Sequence, residues 1–158
     1  MGLISDTHGL LRREALTALQ GSQLIIHAGD VGKPEIIDEL QAVAPVVAVR
    51  GNIDKGTWAS LLPDTAIAEA GSTLIYVLHD LQQLDLDPAA AGFSIVVSGH
   101  SHKPTRAERT GVLYLNPGSA GPRRFRLPIT VARIDLGQSP WQVDFIDLDE
   151  SVERYTQR

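Results

Sequence analysis

The chain has 158 residues, of which 43% are hydrophobic and 21% charged, and its net charge at pH 7 is −5. This length suits one domain, and the composition is that of a globular protein rather than a disordered or membrane-spanning chain. The absence of cysteine excludes disulfides and thiolate metal sites, so a metal ion would need oxygen and imidazole ligands.

The composition and net charge also predict the location of the protein and the kind of molecule that it binds. Stable binding to long nucleic acids needs a basic face, which this acidic chain does not show, so we expect a small partner molecule. No apolar run approaches the roughly 20 residues of a membrane span, and the first residues lack the features of a signal peptide. We therefore expect a cytoplasmic protein with no membrane partner. One domain is expected over residues 1–149, followed by a polar C-terminal tail over 150–158.

The first half of the sequence alternates apolar runs with helical patterns, which is typical of parallel strands joined by crossover helices. Leucines recur on one face over residues 10–20, which predicts a helix. A second helix begins near Pro34 and ends before Pro45. Strands are predicted at residues 2–5, 24–26 and 46–49.

The second half is predicted to be mostly antiparallel. Residues 65–70 and 73–78 flank Gly71-Ser72 as the two strands of a hairpin would. The run at 89–92 is typical of the end of a short helix. Further strands are predicted at residues 95–97, 112–115, 129–134 and 142–148. These elements together predict an α/β fold.

Side chains able to bind metal follow the apolar runs at five points. They are Asp6-Thr7-His8, Gly29-Asp30, Gly51-Asn52, His79 and Gly99-His100-Ser101-His102. Loops at the carboxyl ends of strands in open α/β sheets converge on ligands, so these clusters are expected to meet at one rim. Residues two apart in an extended segment point the same way, which predicts that Asp6 and His8 grip one ion. The same alternation is predicted for His100 and His102.

Each cluster taken alone has a commoner explanation. Asp-x-His is usually a turn or cap, Gly-Asp and Gly-Asn are ordinary turn dipeptides, and a lone histidine is commonly just hydrogen-bonded. Their conjunction favours metal binding, since four of the five histidines fall in these clusters. A carboxylate between two sets of imidazole and amide donors can bridge two divalent cations, and Asp30 is placed to do so. The pattern therefore predicts metal-assisted attack on a phosphate ester.

These clusters, together with Asn116-Pro117-Gly118-Ser119 and Pro122-Arg123, resemble the calcineurin-like metallophosphoesterases, particularly their small single-domain bacterial and archaeal phosphodiesterases. The resemblance spans nearly the whole chain. It implies a four-layer α/β/β/α sandwich with two central mixed sheets and a dinuclear metal site at one edge. The implied activity is hydrolysis of small phosphodiesters by a hydroxide that bridges the two ions. Manganese is the implied metal, with magnesium, zinc, iron or nickel as alternatives.

The resemblance also implies a ligand set. One ion would be held by Asp6, His8, Asp30 and His102, and the other by Asp30, Asn52, His79 and His100. Asn52 would also contact the phosphate. Larger members of the family follow Gly-Asn with a histidine thought to protonate the leaving group, whereas this chain has Ile53. Asp54 is the nearest candidate for that acid, and a turn cap or a supporting hydrogen bond is its alternative role.

Three other polar residues receive predictions. Arg123 is the predicted contact for the substrate phosphate. Arg50 has three open alternatives, which are a phosphate contact, a pair with a carboxylate, and free exposure to solvent. His27 lies an odd number of residues before Asp30, so its side chain is predicted to point away from the site and make a structural hydrogen bond.

Two alternative functions remain open at this point. One is a binding or scaffold protein that keeps the phosphoesterase fold, as one retromer subunit does in eukaryotes. The other is a nuclease of the same superfamily, against which the acidic balance counts. Exposed sheet edges are compatible with an oligomer without predicting one.

Overall fold

The fold is built from two five-stranded sheets. A computed structural model of the protein describes residues 1–149, and the predicted tail over 150–158 lies outside the described residues. In chain order the elements are β1 (Gly2–Ile4), α1 (Arg13–Leu19), β2 (Ile25–His27), α2 (Pro34–Gln41), β3 (Val46–Ala48), β4 (Thr65–Ala70), β5 (Thr73–Leu78), β6 (Ile95–Val97), β7 (Pro104–Arg109), β8 (Val112–Pro117), β9 (Thr130–Asp135) and β10 (Gln142–Asp147).

The first sheet has the strand order β10-β9-β1-β2-β3. Strands β1, β2 and β3 pair in parallel, as the sequence predicts, whereas β9 and β10 are antiparallel to their neighbours. Leu3 faces the other sheet and Ile4 faces the helices, and both side chains are fully buried. Burial on both faces explains why these strands read as continuous apolar runs. Helices α1 and α2 cover the outer face through Leu19 and Leu40.

The second sheet has the order β4-β5-β6-β8-β7. Its edge strands β4 and β7 are antiparallel to their neighbours, but β5, β6 and β8 pair in parallel, so the prediction of a mostly antiparallel second half holds only in part. The sequence reading missed β7. This strand is a largely exposed edge rich in charge, with Arg106 and Glu108 facing solvent, and therefore lacks the apolar alternation that identifies a half-buried strand.

The predicted short helix ending at 89–92 is wrong, because only one helical turn forms there. The Asp87 carbonyl accepts from Ala91 N–H at 3.0 Å, and its carboxylate caps Ala90 N–H at 3.2 Å. This turn and a 3-10 turn at Leu81–Gln83 lie over the outer face of the second sheet. The fourth layer of the α/β/β/α sandwich is therefore thin.

The main core lies between the two sheets. It includes Leu3 and Ile26 from the first sheet and Val77, Ile95 and Leu115 from the second, all essentially inaccessible to solvent. The four-layer α/β/β/α arrangement is thus confirmed. No helix within residues 1–149 is long and apolar enough to cross a membrane.

His27 joins the ends of β1 and β2 away from the predicted ligands, as expected. The Thr7 hydroxyl donates to the Val31 carbonyl at 2.8 Å, which leaves its oxygen to accept from His27 Nε2–H at 3.0 Å. Gly29 N–H donates to His27 Nδ1 at 3.2 Å. These bonds fix a neutral ring with its proton on Nε2, and burial lowers the pKa of His27 to about 4.

We expect His27 to make folding sensitive to mild acid. Between the ordinary histidine pKa of 6.5 and the folded value of about 4, the unfolded chain binds a proton that the folded chain does not. Stability is therefore lost as the pH falls through this window, by at most about 1.4 kcal/mol per pH unit. Urea unfolding of the metal-free protein across this range measures the slope. The His27→Gln variant should show a shallower slope, and equal slopes would contradict the assignment.

Candidate metal centre

The predicted ligands lie in tight turns rather than in extended segments. Five of the seven have positive φ angles between 47° and 70°, namely Asp6, His8, Asp30, His100 and His102. The predicted two-residue alternation is therefore wrong, because each strand has ended before its ligands begin. Left-handed conformations are uncommon for residues other than glycine, and such strain is concentrated at functional sites.

These turns nevertheless bring most of the predicted ligands to one point. Asp6 Oδ1 lies 3.2 Å from His102 Nε2, 3.8 Å from His8 Nε2 and 3.9 Å from His79 Nε2. Asp30 Oδ2 lies 3.3 Å from His79 Nε2 and 3.5 Å from His8 Nε2. Two carboxylate oxygens thus face three imidazole rings across a few ångströms.

The remaining carboxylate oxygens are held by hydrogen bonds. Asp6 Oδ2 accepts from the Ser5 hydroxyl at 2.7 Å and from His100 N–H at 3.1 Å. Asp30 Oδ1 accepts from Ile53 N–H at 3.1 Å. Each carboxylate is therefore fixed through one oxygen and presents the other to the centre of the cluster.

Both carboxylates are held in the ionised form. Burial alone would raise the pKa of Asp6, but the facing His102 and His8 rings and the Ser5 hydroxyl place it well below its usual range. Burial likewise opposes ionisation of Asp30, but the facing His79 ring and the Ile53 N–H together outweigh it and lower that pKa. Two buried anions in one cluster require positive charge nearby.

The chemistry of the donor set fits a divalent cation. Asp6 Oδ1 and His8 Nε2 are buried and have no hydrogen-bond partner within residues 1–149. His79 Nδ1 lies 2.7 Å from the Ala28 carbonyl, to which a protonated Nδ1 donates, and the Nε2 lone pair is then directed into the site. Unpaired oxygen and imidazole acceptors that converge in this way are the ligands that borderline divalent metals take.

Asn52 is placed to complete one side of this cluster. Its side-chain amide lies 3.0 Å from His79 Nε2 and 3.2 Å from both oxygens of Asp30. An amide oxygen in this position would face only acceptors, whereas the amide nitrogen would donate to all three atoms. A cation bound between Asn52, Asp30 and His79 would instead favour the orientation in which the Asn52 amide oxygen points inwards.

His100 lies at the rim rather than in the cluster. Its side chain is 47% exposed, its Nε2 is 3.8 Å from Asp80 Oδ2, and its ring stands edge-on to His79 at 5.1 Å. The atoms that could share an ion fall into two groups, Asp6 with His8 and His102, and Asp6 with Asp30 and His79. Asp6 is therefore the carboxylate common to both groups, whereas the sequence predicted that Asp30 would bridge the two ions.

Two glycines allow the ligand loops to approach one another. A Cβ on Gly51 would lie 2.1 Å from both the Asp30 backbone nitrogen and Asp30 Oδ1. A Cβ on Gly99 would lie 2.0 Å from the Ser5 hydroxyl and 2.7 Å from Asp6 Oδ2. Glycine is needed at both positions because any side chain would displace a carboxylate.

The segment Asn116-Pro117-Gly118-Ser119 supports the ligand loops from behind. Asn116 Nδ2 donates to the Gly99 carbonyl at 2.8 Å and to the Ser101 hydroxyl at 3.0 Å. The Ser119 hydroxyl donates to the Asp6 carbonyl at 3.0 Å. Sequence reasoning identified this motif only through its resemblance, and it missed Ser5 altogether, whose one sequence signal is its position beside Asp6.

Asp54 is occupied by backbone donors. Its Oδ2 accepts from Gly51 N–H at 2.8 Å and Val31 N–H at 3.1 Å, and its Oδ1 accepts from Gly32 N–H at 2.8 Å. The side chain is buried and joins the loops that follow β2 and β3. This arrangement favours the turn-cap role over proton donation, because both carboxylate oxygens are already engaged by backbone N–H groups.

The two arginines singled out in the sequence both pair with carboxylates. Arg50 donates to Asp64 Oδ1 through Nη2 at 2.5 Å and through Nε at 3.1 Å. Of its three predicted alternatives, the structure therefore shows the pair with a carboxylate. Arg123 forms an ion pair with Asp149 on the surface. A phosphate contact by Arg123 would require this pair to open and stays a prediction.

The sequence matches a described protein family over most of its length. The calcineurin-like phosphoesterase superfamily domain matches residues 1–139. The chain therefore belongs to the calcineurin-like phosphoesterase superfamily.

Individual relatives agree with this assignment. A protein of Methanothermobacter thermautotrophicus named "Probable metallophosphoesterase" is 34% identical over 148 residues, covering 85% of this chain and 86% of that protein. A structure described as a novel archaeal phosphodiesterase has a TM-score of 0.76 at 22% identity, covering 92% of this chain and 98% of its own. Vps29 of Chaetomium thermophilum has a TM-score of 0.73 at 16% identity, with 92% and 95% covered. The last two likenesses show the fold.

We expect the Asp54→Asn variant to lose stability. The amide retains one acceptor and turns a donor towards backbone N–H groups, which should lower the free energy of unfolding by about 1–3 kcal/mol. Urea unfolding of the metal-free protein measures this loss, and Asp144→Asn on the exposed edge strand is the matched control. A variant as stable as the wild type, with hydrolysis lost only for esters with poor leaving groups, would favour the acid role instead.

We expect Ser5→Ala to weaken metal binding. Without the Ser5 hydroxyl, Asp6 keeps only the His100 N–H on Oδ2 and is free to rotate. Loss of such a supporting bond typically lowers metal affinity about 10–100-fold. Isothermal titration of the metal-free protein with Mn²⁺ measures the change, and the exposed Ser60→Ala is the control. Equal affinities for Ser5→Ala and the wild type would show that Asp6 is not positioned by this bond.

Proposed function

We propose that the protein is a divalent-metal-dependent phosphodiesterase that hydrolyses small phosphodiesters. The observation that carries the proposal is the convergence of Asp6 Oδ1 and Asp30 Oδ2 on three imidazoles, with buried ligand atoms that have no partner within residues 1–149. Membership of the phosphoesterase superfamily and the likeness to an archaeal phosphodiesterase support it. The acidic net charge supports a small substrate and no stable binding of long nucleic acids.

The proposed site holds two ions. Asp6, His8 and His102 would hold one, while Asp30, Asn52 and His79 would hold the other, with both carboxylates within reach of each. His100 would complete the second set from the rim. Manganese is proposed, and magnesium, zinc, iron or nickel are alternatives for the same donors. When bound, such ions lower the pKa of a coordinated water and neutralise charge on the phosphate.

The residues of the chain supply positioning and access. Ser5, the backbone of His100 and the backbone of Ile53 hold the two carboxylates ionised and oriented. The exposed Asn52 amide lies in a cavity of about 160 Å³ that His79, His100 and Arg50 also line. A phosphate in this cavity would be within reach of Asn52, which suits the proposed substrate contact. The cytoplasmic location stays a prediction from the sequence.

A scaffold role is the second candidate. The fold is shared with Vps29, a vacuolar protein sorting component, in several species. The exposed position of His100, outside the two ligand groups, favours this candidate because it leaves one proposed ligand set open at the rim. The unpaired buried acceptors at the other positions favour catalysis.

Hydrolysis of bis(p-nitrophenyl) phosphate distinguishes the two candidates. Metal-stripped protein with added Mn²⁺ should hydrolyse the diester, and Asp30→Asn should lower kcat at least about 100-fold because an oriented charge at the site is lost. The exposed Asp144→Asn control should retain wild-type activity. A folded wild-type protein that binds Mn²⁺ in titration but hydrolyses nothing would support the scaffold role.

A further inference from the structure

The loop between β8 and β9 presents an aromatic ring to solvent. Phe125 is 92% exposed, which makes it the most exposed large apolar side chain within residues 1–149. Its φ angle is 53°, a conformation that bulky residues rarely adopt. A single exposed apolar residue is ordinary, but this one stands in a left-handed turn, and its neighbours in the sequence are Arg123, Arg124 and Arg126.

This loop lies beside the candidate metal centre. Phe125, Arg126 and Leu127 line one surface cleft together with Ser101 and Lys103, and we call these five residues the loop cleft. Ser101 and Lys103 flank His102 in the sequence, so the cleft begins at a ligand loop. Asn116 fixes Ser101 by a 3.0 Å hydrogen bond, so this wall of the cleft is rigid.

The charges of the loop cleft favour an anion. The side chains of Lys103 and Arg126 make no hydrogen bond or ion pair with other residues of the described range 1–149, whereas Arg123 is neutralised by Asp149. A chain with a net charge of −5 thus keeps two unpaired cations and an exposed ring at the edge of the metal centre. Cations attract the negative charge of a phosphodiester, and a π-face accepts a flat aromatic group.

We propose that the loop cleft binds the base of a nucleotide-type phosphodiester whose phosphate occupies the metal centre. Phe125 stacks on the base, and Arg126 contacts the sugar-phosphate side. This inference rests on the proposed phosphodiesterase function and names its substrate class. Stacking of a base on an aromatic side chain is sequence-tolerant, so the cleft selects for a base rather than for one particular base.

Two chromogenic diesters with the same leaving group test the proposal. They are the p-nitrophenyl esters of thymidine 5′-phosphate and of methyl phosphate, of which only the first carries a base. The Mn²⁺-loaded wild type should prefer the thymidine ester by about tenfold in kcat/KM, which is the size expected for one base-aromatic stack. Phe125→Ala should abolish the preference by raising KM for the thymidine ester, with kcat and the methyl ester unchanged.

Matched variants separate a stack from a structural effect. Phe125→Tyr keeps the ring and should keep the preference, and Leu61→Ala removes another exposed apolar side chain elsewhere and should also keep it. Arg126→Gln should raise KM for both esters more than Arg124→Gln, because only Arg126 lines the loop cleft. Absence of a preference in the wild type, equal losses on both esters in Phe125→Ala, or equal effects of the two arginine variants would overturn the proposal.

A binding measurement tests the base site even if the proposed phosphodiesterase activity is absent. If neither ester is hydrolysed, titration of the Mn²⁺-loaded protein with thymidine 5′-phosphate and with methyl phosphate replaces the kinetic comparison. Tighter binding of the thymidine compound that is lost in Phe125→Ala would retain the loop cleft as a base site while refuting phosphodiesterase activity. Equal binding of both compounds would overturn the inference.

Discussion

The burial of two ionised carboxylates at one point is the constraint on which the rest of the site depends. Asp6 and Asp30 repel each other, and burial disfavours the charge of both. Backbone N–H groups, the Ser5 hydroxyl and the facing imidazoles more than offset these costs, because the pKa of each carboxylate lies below its usual value. Each carboxylate keeps its other oxygen directed to the centre, where a bound divalent cation would meet both negative charges.

That arrangement is maintained by backbone contacts around the ligands. Left-handed turns at five ligand positions cost of order 1 kcal/mol each, and they persist because the surrounding loops leave no alternative. Asp54 ties the loop after β3 to the loop after β2, and Asn116 holds the His100 loop. Gly51 and Gly99 let these loops meet without a gap. The strand ends of the sandwich are thus joined by hydrogen bonds from residues that are not themselves predicted metal ligands.

The sequence predicted the parts of this frame that have a regular pattern. The hairpin β4–β5 and strand β6 have the predicted bounds, because Gly71-Ser72 marks the hairpin turn and a continuous apolar run marks β6. Strand β7 has no such signal, since its side chains are charged and its pairing comes from the neighbouring β8. The candidate ligands could be selected from the sequence because each follows an apolar run. Their left-handed backbone was not readable, and neither was the use of Asp54 as a backbone acceptor, because both depend on loops distant in sequence.

The centre and the rim of the site differ in how tightly they are fixed. Ser5 orients Asp6, the Ile53 N–H orients Asp30 and the Ala28 carbonyl orients His79, so changes at these three residues would alter charge and geometry together. His100 and Phe125 face solvent, and the contacts of the Arg50–Asp64 pair are partly exposed. This division means that residues at the rim can change without moving the buried carboxylates. Substrate choice in this protein is therefore expected to reside in the exposed loops around the rim, and metal binding in the turns at the strand ends.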